Sequence, residues 1–218
     1  KKAHGKEVKF YLFLQWIAAQ QLEASSQKAK DCGMTIGLYR DLAVGVSEGS
    51  AEIWGNKDLY CTNASVGAPP DVLGPLGQNW GLPPMDPRKL YEQAYQPIID
   101  LFAANMASSG SLRIDHVMGL QRLWVIPQGA ESQHGAYLLY PLDDLLRLLA
   151  LESHRHRALV IGEDLGTVPE GLRDKLAARN ILGTRVLLFE QDDLGFVPAE
   201  RWPGNALATT TTHDLPTI

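Results

Sequence analysis

The chain has 218 residues, 45% of them apolar and 21% charged, which is enough for one substantial core and excludes a disordered segment. A formal charge of −5 argues against a nucleic-acid or anionic-membrane partner, either of which favours a basic face. No apolar run reaches membrane-spanning length, since the densest, residues 8–19, is short and broken by Gln15.

The basic start, Lys1-Lys2-Ala3-His4-Gly5-Lys6, is not followed by a small-residue cleavage site after the apolar run, so no signal peptide is expected. Cys32 and Cys61 lack C-x-x-C spacing and make no disulfide framework, which fits a reducing cytoplasm. Residues 8–24 read as a helix. Phe10, Leu14, Ile17 and Ala18 share one face while Phe13 and Trp16 widen it, so packing on two sides is expected. A strand follows at residues 34–38 and runs into Tyr39-Arg40-Asp41-Leu42.

From residue 43 to 86 periodicity is lost and Gly, Pro and Asn are frequent, which reads as an inserted loop subdomain of functional length. Its Trp54, Tyr60 and Trp80 offer apolar platforms to the C–H face of a sugar, or else pin the loop to the core. Residues 88–106 read as one helix closed by Gly110, and residues 111–115 as a strand. A second excursion fills residues 117–140. Residues 142–156 form a leucine-rich amphipathic helix, with His154 and His156 placed as C-terminal cations. Residues 158–162 are a strand. A helix to Arg179 is expected to start at a capping box of Thr167 and Glu170. Residues 184–189 and a run from Ala206 are the last strands.

Five strands alternate with helices, the mark of parallel βαβ units and an α/β fold. Three of them end on acids. Ser111-Leu112-Arg113-Ile114-Asp115-His116 alternates apolar and polar residues, so Arg113 and Asp115 point the same way and lie within ion-pairing reach. That pairing keeps the carboxylate ionised. An apolar run ending on Glu163-Asp164, and another ending on His213-Asp214, repeat the pattern. Acids delivered at the carboxyl ends of several strands are the layout of a (β/α) barrel active site. Five strands are fewer than eight, and such a barrel needs roughly 250 residues. The chain is therefore expected to be the central portion of a larger catalytic barrel, with parallel strand edges left unpaired if it stood alone.

Tyr39-Arg40-Asp41-Leu42, Gly77-Gln78-Asn79-Trp80-Gly81, Arg113-Ile114-Asp115-His116, Gly162-Glu163-Asp164-Leu165-Gly166 and Thr212-His213-Asp214-Leu215-Pro216-Thr217 resemble the strand-end signatures of bacterial 4-α-glucanotransferases. These are the amylomaltases or disproportionating enzymes, glycoside hydrolase family 77 of the α-amylase superclan. The resemblance runs in order from about Phe10 and includes Ala68-Pro69-Pro70-Asp71. It implies part of a (β/α)8 TIM barrel, about five of eight strands, with long substrate-binding loops. It also implies α-1,4-glucans and maltooligosaccharides as partners and no cofactor or metal. By it, Asp115 matches the nucleophile, Glu163 the general acid/base, and Asp214 the third carboxylate that holds sugar hydroxyls. Arg113, His116 and His213 match the shell of the donor sugar. Asp41, Gln78, Trp80 and Asp164 fall in segments that line the glucan groove.

Retaining transfer needs one ionised carboxylate to attack and one protonated carboxyl to release the leaving oxygen. Arg113 serves the first, and Glu163, beside other acids, is expected to be pushed toward the protonated state. Three other readings stay open on the residues. One is an α-glucan hydrolase with the same triad. Another is a metal-dependent hydrolase using Asp115, His116, Glu163, His213 and Asp214, against which Arg113 argues. The third is a glucan-binding piece without turnover.

Overall fold

The computed structural model describes residues 4–71 and 74–212. His213 and Asp214 lie outside them. Helix α1 spans Gly5–Asp31, longer than the expected 8–24. Only Ser26 and Ala29 on it are buried. Phe10, Phe13, Leu14 and Trp16 are exposed, against the expectation of packing on two sides, because no other described element covers that half of the helix.

Strand β1 is Tyr39–Leu42, so the strand begins where the expected one ended. Gly37 just before it has φ +73°, a left-handed turn that an extended segment over residues 34–38 cannot contain. The region from 43 to 86 is more regular than its composition implied. Helix α2 is Ala51–Gly55, with the Ser50 hydroxyl accepting from the Ile53 N–H at 3.3 Å. Strands β2 (Ala64–Ala68) and β3 (Gln78–Leu82) follow.

The single helix expected over 88–106 is two: α3, Pro87–Glu92, and α4, Gln96–Met106. Pro97 has no N–H to give the carbonyl of Gln93, so the ladder breaks there and Ala94 and Tyr95 take left-handed φ values of 49° and 58°. Strand β4 is Ser111–Ile114, followed by a short 3-10 turn at Val117–Leu120. The excursion after it contains strands β5 (Arg122–Pro127) and β6 (Ala136–Leu139). Helix α5 covers Leu142–His156 as expected, and strand β7 is Leu159–Gly162. Helix α6 starts only at Leu172 and ends at Ala177. The residue before it is Gly171 at φ +73°, so the Thr167–Glu170 box caps nothing. Strand β8 is Gly183–Val186. The short hairpin of β9 (Gln191–Asp192) and β10 (Gly195–Phe196) and strand β11 (Ala206–Thr209) complete the order.

β1, β4 and β7 form a parallel sheet with β4 central, and β8 pairs in parallel with β11. A parallel bridge between Ile161 and Leu182, with the Gly162 N–H donating to Leu182 O at 2.8 Å, joins the two groups in the order β1-β4-β7-β8-β11. The fold class is thus α/β, with parallel strands alternating with helices. Helices α4, α5 and α6 pack one flank. Phe102, Met106, Leu145, Leu146, Leu149, Leu172 and Leu176 meet Leu112 and Val160 of the sheet in one buried cluster. Each fully buried side chain of this kind contributes about 1.5–3 kcal/mol.

β2, β3, β5 and β6 make a separate antiparallel sheet in the order β3-β2-β5-β6. The two excursions, read from sequence as separate loops, therefore share one sheet. The contact is close at Gly67, where a Cβ would lie 1.9 Å from the carbonyl oxygen of Gln78. Only glycine lets β3 approach β2 at that bulge.

Candidate active site

The carboxyl ends of β1, β4 and β7 gather the charged residues. Arg113 donates to both carboxylate oxygens of Asp41, at 2.6 and 2.8 Å, and its other nitrogen lies 2.7 Å from Asp115 Oδ1. The parallel register sets Asp41 directly beside Arg113, so one guanidinium serves two acids. Burial alone would loosen the Arg113 proton, but the two carboxylates more than offset it and hold it tighter than in free arginine. The two-residue spacing predicted the pairing with Asp115. Asp41 as second partner needed the register.

Glu163 follows β7 and is only 8% exposed. Its Oε2 accepts from the backbone N–H of His116 at 2.9 Å, and its Oε1 from that of Leu165 at 2.7 Å. Burial pushes its proton affinity up. The two backbone donors pull it down and Asp115 adds a smaller upward push, leaving a net rise above the ordinary glutamate value. The direction is the one expected, but the chief cause is desolvation rather than neighbouring acids.

The ends of β4 and β7 are stitched together. Glu163 N–H donates to Ile114 O, and Val117 N–H to Glu163 O, both at 2.9 Å. Between them His116 takes a left-handed φ of 48°, which turns its own N–H onto Glu163. Its imidazole is partly buried, and this desolvation lowers its proton affinity, which Asp115 only partly restores. The ring meets Trp80 edge to face at 5.3 Å.

Trp80 and Gln78 come from β3, with the indole N–H donating to Gln78 Oε1 at 3.0 Å. A cavity of about 320 Å³ is lined by these two together with Arg113, Asp115, His116 and Glu163. The same cavity is walled by Arg122, Trp124 and Tyr137, which sequence reasoning left out. The Arg122 guanidinium lies 3.9 Å over the Tyr137 ring, and Trp124 packs edge-on to Tyr137 at 5.1 Å. Arg122 and Trp124 are two residues apart on β5 and so face the same way, but Arg-Leu-Trp-Val has no clear apolar/polar alternation that would have marked them in the sequence.

Other expected residues go elsewhere. Asp164 is 1% exposed and turns away from the cavity to Arg173, Arg185 and the Thr184 N–H. Tyr60 is buried and donates to Glu52 at 2.7 Å, pinning its loop, while Trp54 lies on the surface. Asp41 reaches the site through Arg113. His213 and Asp214 fall outside the described residues, but Thr212 lines the cavity. Among the described residues, no three His, Cys, Asp or Glu side chains are grouped to hold a metal ion.

A family model described as 4-alpha-glucanotransferase matches residues 1–218. A 4-alpha-glucanotransferase of Haemophilus influenzae is 50% identical over 217 residues, covering 100% of this chain and 31% of the relative. An amylomaltase crystal structure from Corynebacterium glutamicum superposes with a TM-score of 0.90 at 43% identity, over 95% of this chain and 30% of that one. An amylomaltase from Streptococcus agalactiae in complex with acarbose shares the fold, with a TM-score of 0.85 at 23% identity over 97% of this chain and 44% of that one. The chain spans about a third of the length of the curated relative and of the first structure.

Proposed function

The chain belongs to the 4-alpha-glucanotransferase family, and from that premise we propose that the whole protein transfers α-1,4-glucan segments between maltooligosaccharides by a retaining double displacement. The observation that carries this reading is a pair of unlike carboxyl groups just past the ends of the neighbouring parallel strands β4 and β7. Asp115 is paired to Arg113, while Glu163 is buried and raised toward its protonated form.

Asp115, held against Arg113, attacks the anomeric carbon. Glu163 delivers its proton to the departing glycosidic oxygen, and a covalent glucosyl ester forms on Asp115. Ionised by that step, Glu163 is stabilised by the N–H groups of His116 and Leu165 and takes the proton of the incoming 4-hydroxyl. The acceptor hydroxyl attacks the anomeric carbon, its bond to Asp115 breaks so that the carboxylate leaves, and Glu163 ends protonated as it began. Asp214 is assigned to the sugar hydroxyls by its place in the family motif, with His213 and His116 in the donor shell. Gln78 and Trp80, and beside them Arg122, Trp124 and Tyr137, form a wall suited to hold a sugar while water is kept out. We take the five parallel strands as part of a (β/α)8 barrel, with residues 43–86 and 117–140 as its active-site insertions. Two free cysteines, Cys32 and Cys61, fit a reducing compartment such as the cytoplasm.

The intact protein given maltotriose should release glucose and build a ladder of longer oligosaccharides with reducing ends nearly constant. A steady rise in reducing ends marks a hydrolase instead. Turnover lost on exhaustive chelation and restored by a divalent metal would replace this account with the metal-ligand reading.

A further inference from the structure

Asp164 is the most heavily partnered buried acid among the described residues, and the proposed mechanism gives it nothing to do. Its Oδ1 accepts from the Thr184 N–H at 2.7 Å and its Oδ2 from Arg173 Nε at 2.6 Å, while Arg185 lies 3.2–3.3 Å from both oxygens. Arg173 makes a second contact, from its terminal nitrogen to the backbone carbonyl of Asp164 at 3.0 Å. That carbonyl belongs to the same peptide unit as the Leu165 N–H. A trans peptide is planar, and its C=O and N–H point in opposite directions. A guanidinium gripping the carbonyl from the α6 side therefore aims the N–H at the other side, where it meets Glu163 Oε1 at 2.7 Å. Successive residues of an extended chain also face opposite ways, so Glu163 turns to the cavity as Asp164 turns to the clamp.

We propose that Asp164 and Arg173 are positioning residues for the reaction proposed above, fixing the 164–165 peptide so that its N–H sets the orientation and proton affinity of Glu163. The fork of Arg173 is what the geometry demands, because one planar group must hold a side-chain oxygen and a carbonyl together. A lysine offers a point charge to one of them. The groups that face Glu163 are Arg113 from β4 and Asp115 and His116 just beyond it. None of them is altered by a change at Arg173, whose side chain is 54% exposed.

The inference rests on the transferase reading, and the test separates the two. In the intact protein, Arg173→Gln and Arg173→Lys are compared with wild type on maltotriose, whose leaving oxygen needs a proton, and on α-glucosyl fluoride, whose leaving group does not. Arg173→Gln should lower maltotriose turnover about 10- to 100-fold, less than the roughly 10²- to 10⁴-fold of a general acid's whole contribution, because Glu163 itself is kept. First-turnover fluoride release should stay within about threefold by the same reasoning. Losing the N–H donor removes a contact that favours the ionised form, so the alkaline limb of the pH–rate profile should move to higher pH. Arg173→Lys should recover part of the maltotriose rate. Asp164→Asn should follow Arg173→Gln, but it strands Arg185, so the exposed Arg173 carries the test. Equal losses on both substrates with an unmoved alkaline limb would overturn the clamp and leave only a structural ion pair. Wild-type protein inert toward both substrates would overturn the transferase reading, and this inference with it.

Discussion

The parallel strand ends and the antiparallel sheet that faces them build one cavity by different means. At the ends of β4 and β7, function is local. Arg113 on β4 and Asp115, the first residue past it, are two residues apart, and Glu163 is the first residue past β7. In the facing sheet, Trp80 comes from β3, Trp124 from β5 and Tyr137 from β6, brought together across long stretches of chain. The first region places charge where a reaction needs it. The second supplies aromatic surface, and its residues are interchangeable in chemistry though not in position. Loss in the first should stop the reaction; loss in the second should only weaken the hold on sugar.

The largest expected effect lies at the strand ends. Asp115→Asn in the intact protein removes the proposed nucleophile and should cost roughly four or more orders of magnitude in kcat, as removal of a nucleophile does elsewhere. A loss under tenfold in steady-state transfer would mean that the two regions have been given the wrong roles. On the sheet, Trp80→Ala should lower kcat/KM about tenfold, equivalent to 1.4 kcal/mol, mostly through KM. If kcat fell instead with KM unchanged, the sheet would be acting in the transition state, and the contrast drawn above would fail.

The smallest expected effect is on stability. Glu163 holds its proton more tightly folded than unfolded. Its favourable contribution is therefore complete below the unfolded value, near 4.3, and is lost as pH rises through the folded one. Glu163→Gln abolishes that loss. The melting temperature of the variant, minus that of wild type, should accordingly grow by about 1–3 °C between pH 4 and 8. Asp164 is the opposite case. Despite its burial, the Thr184 N–H, Arg173 and Arg185 hold its proton affinity below the ordinary range. Its stabilisation is present above the unfolded value and is lost as pH falls through the folded one. A difference between Glu163→Gln and wild type that stays flat with pH would remove burial as the source of the acid's raised proton affinity.

What could be read from sequence follows the same division. Such patterns are short-range, so Arg113 and Asp115 were legible from period-2 alternation, the Glu163 strand from its short apolar run, and helix α5 from its leucine spacing. Boundaries set by backbone geometry were not. Gly37, Pro97 and Gly171 each moved or broke an element that side-chain patterning had drawn through them. The antiparallel sheet was missed because β2 reads Ala-Ser-Val-Gly-Ala and β3 reads Gln-Asn-Trp-Gly-Leu, weak strand patterns in which Gly67 serves close approach and Gly81 takes a φ of 71°. The side to which Asp164 turns was also hidden. Two adjacent acids look alike in a sequence, and only Arg173 and Arg185 on later elements distinguish them.

The most direct test asks which of the two carboxyl groups at the strand ends attacks. Intact-mass analysis of the Glu163→Gln protein after brief exposure to α-glucosyl fluoride, followed by peptide mapping, answers it. The fluoride needs no acid to leave, and the variant keeps no base to activate an acceptor. One glucosyl unit should therefore accumulate, and it should map to the peptide that carries Asp115. An adduct that forms in Asp115→Asn and is absent from Glu163→Gln would contradict the account and reverse the two roles.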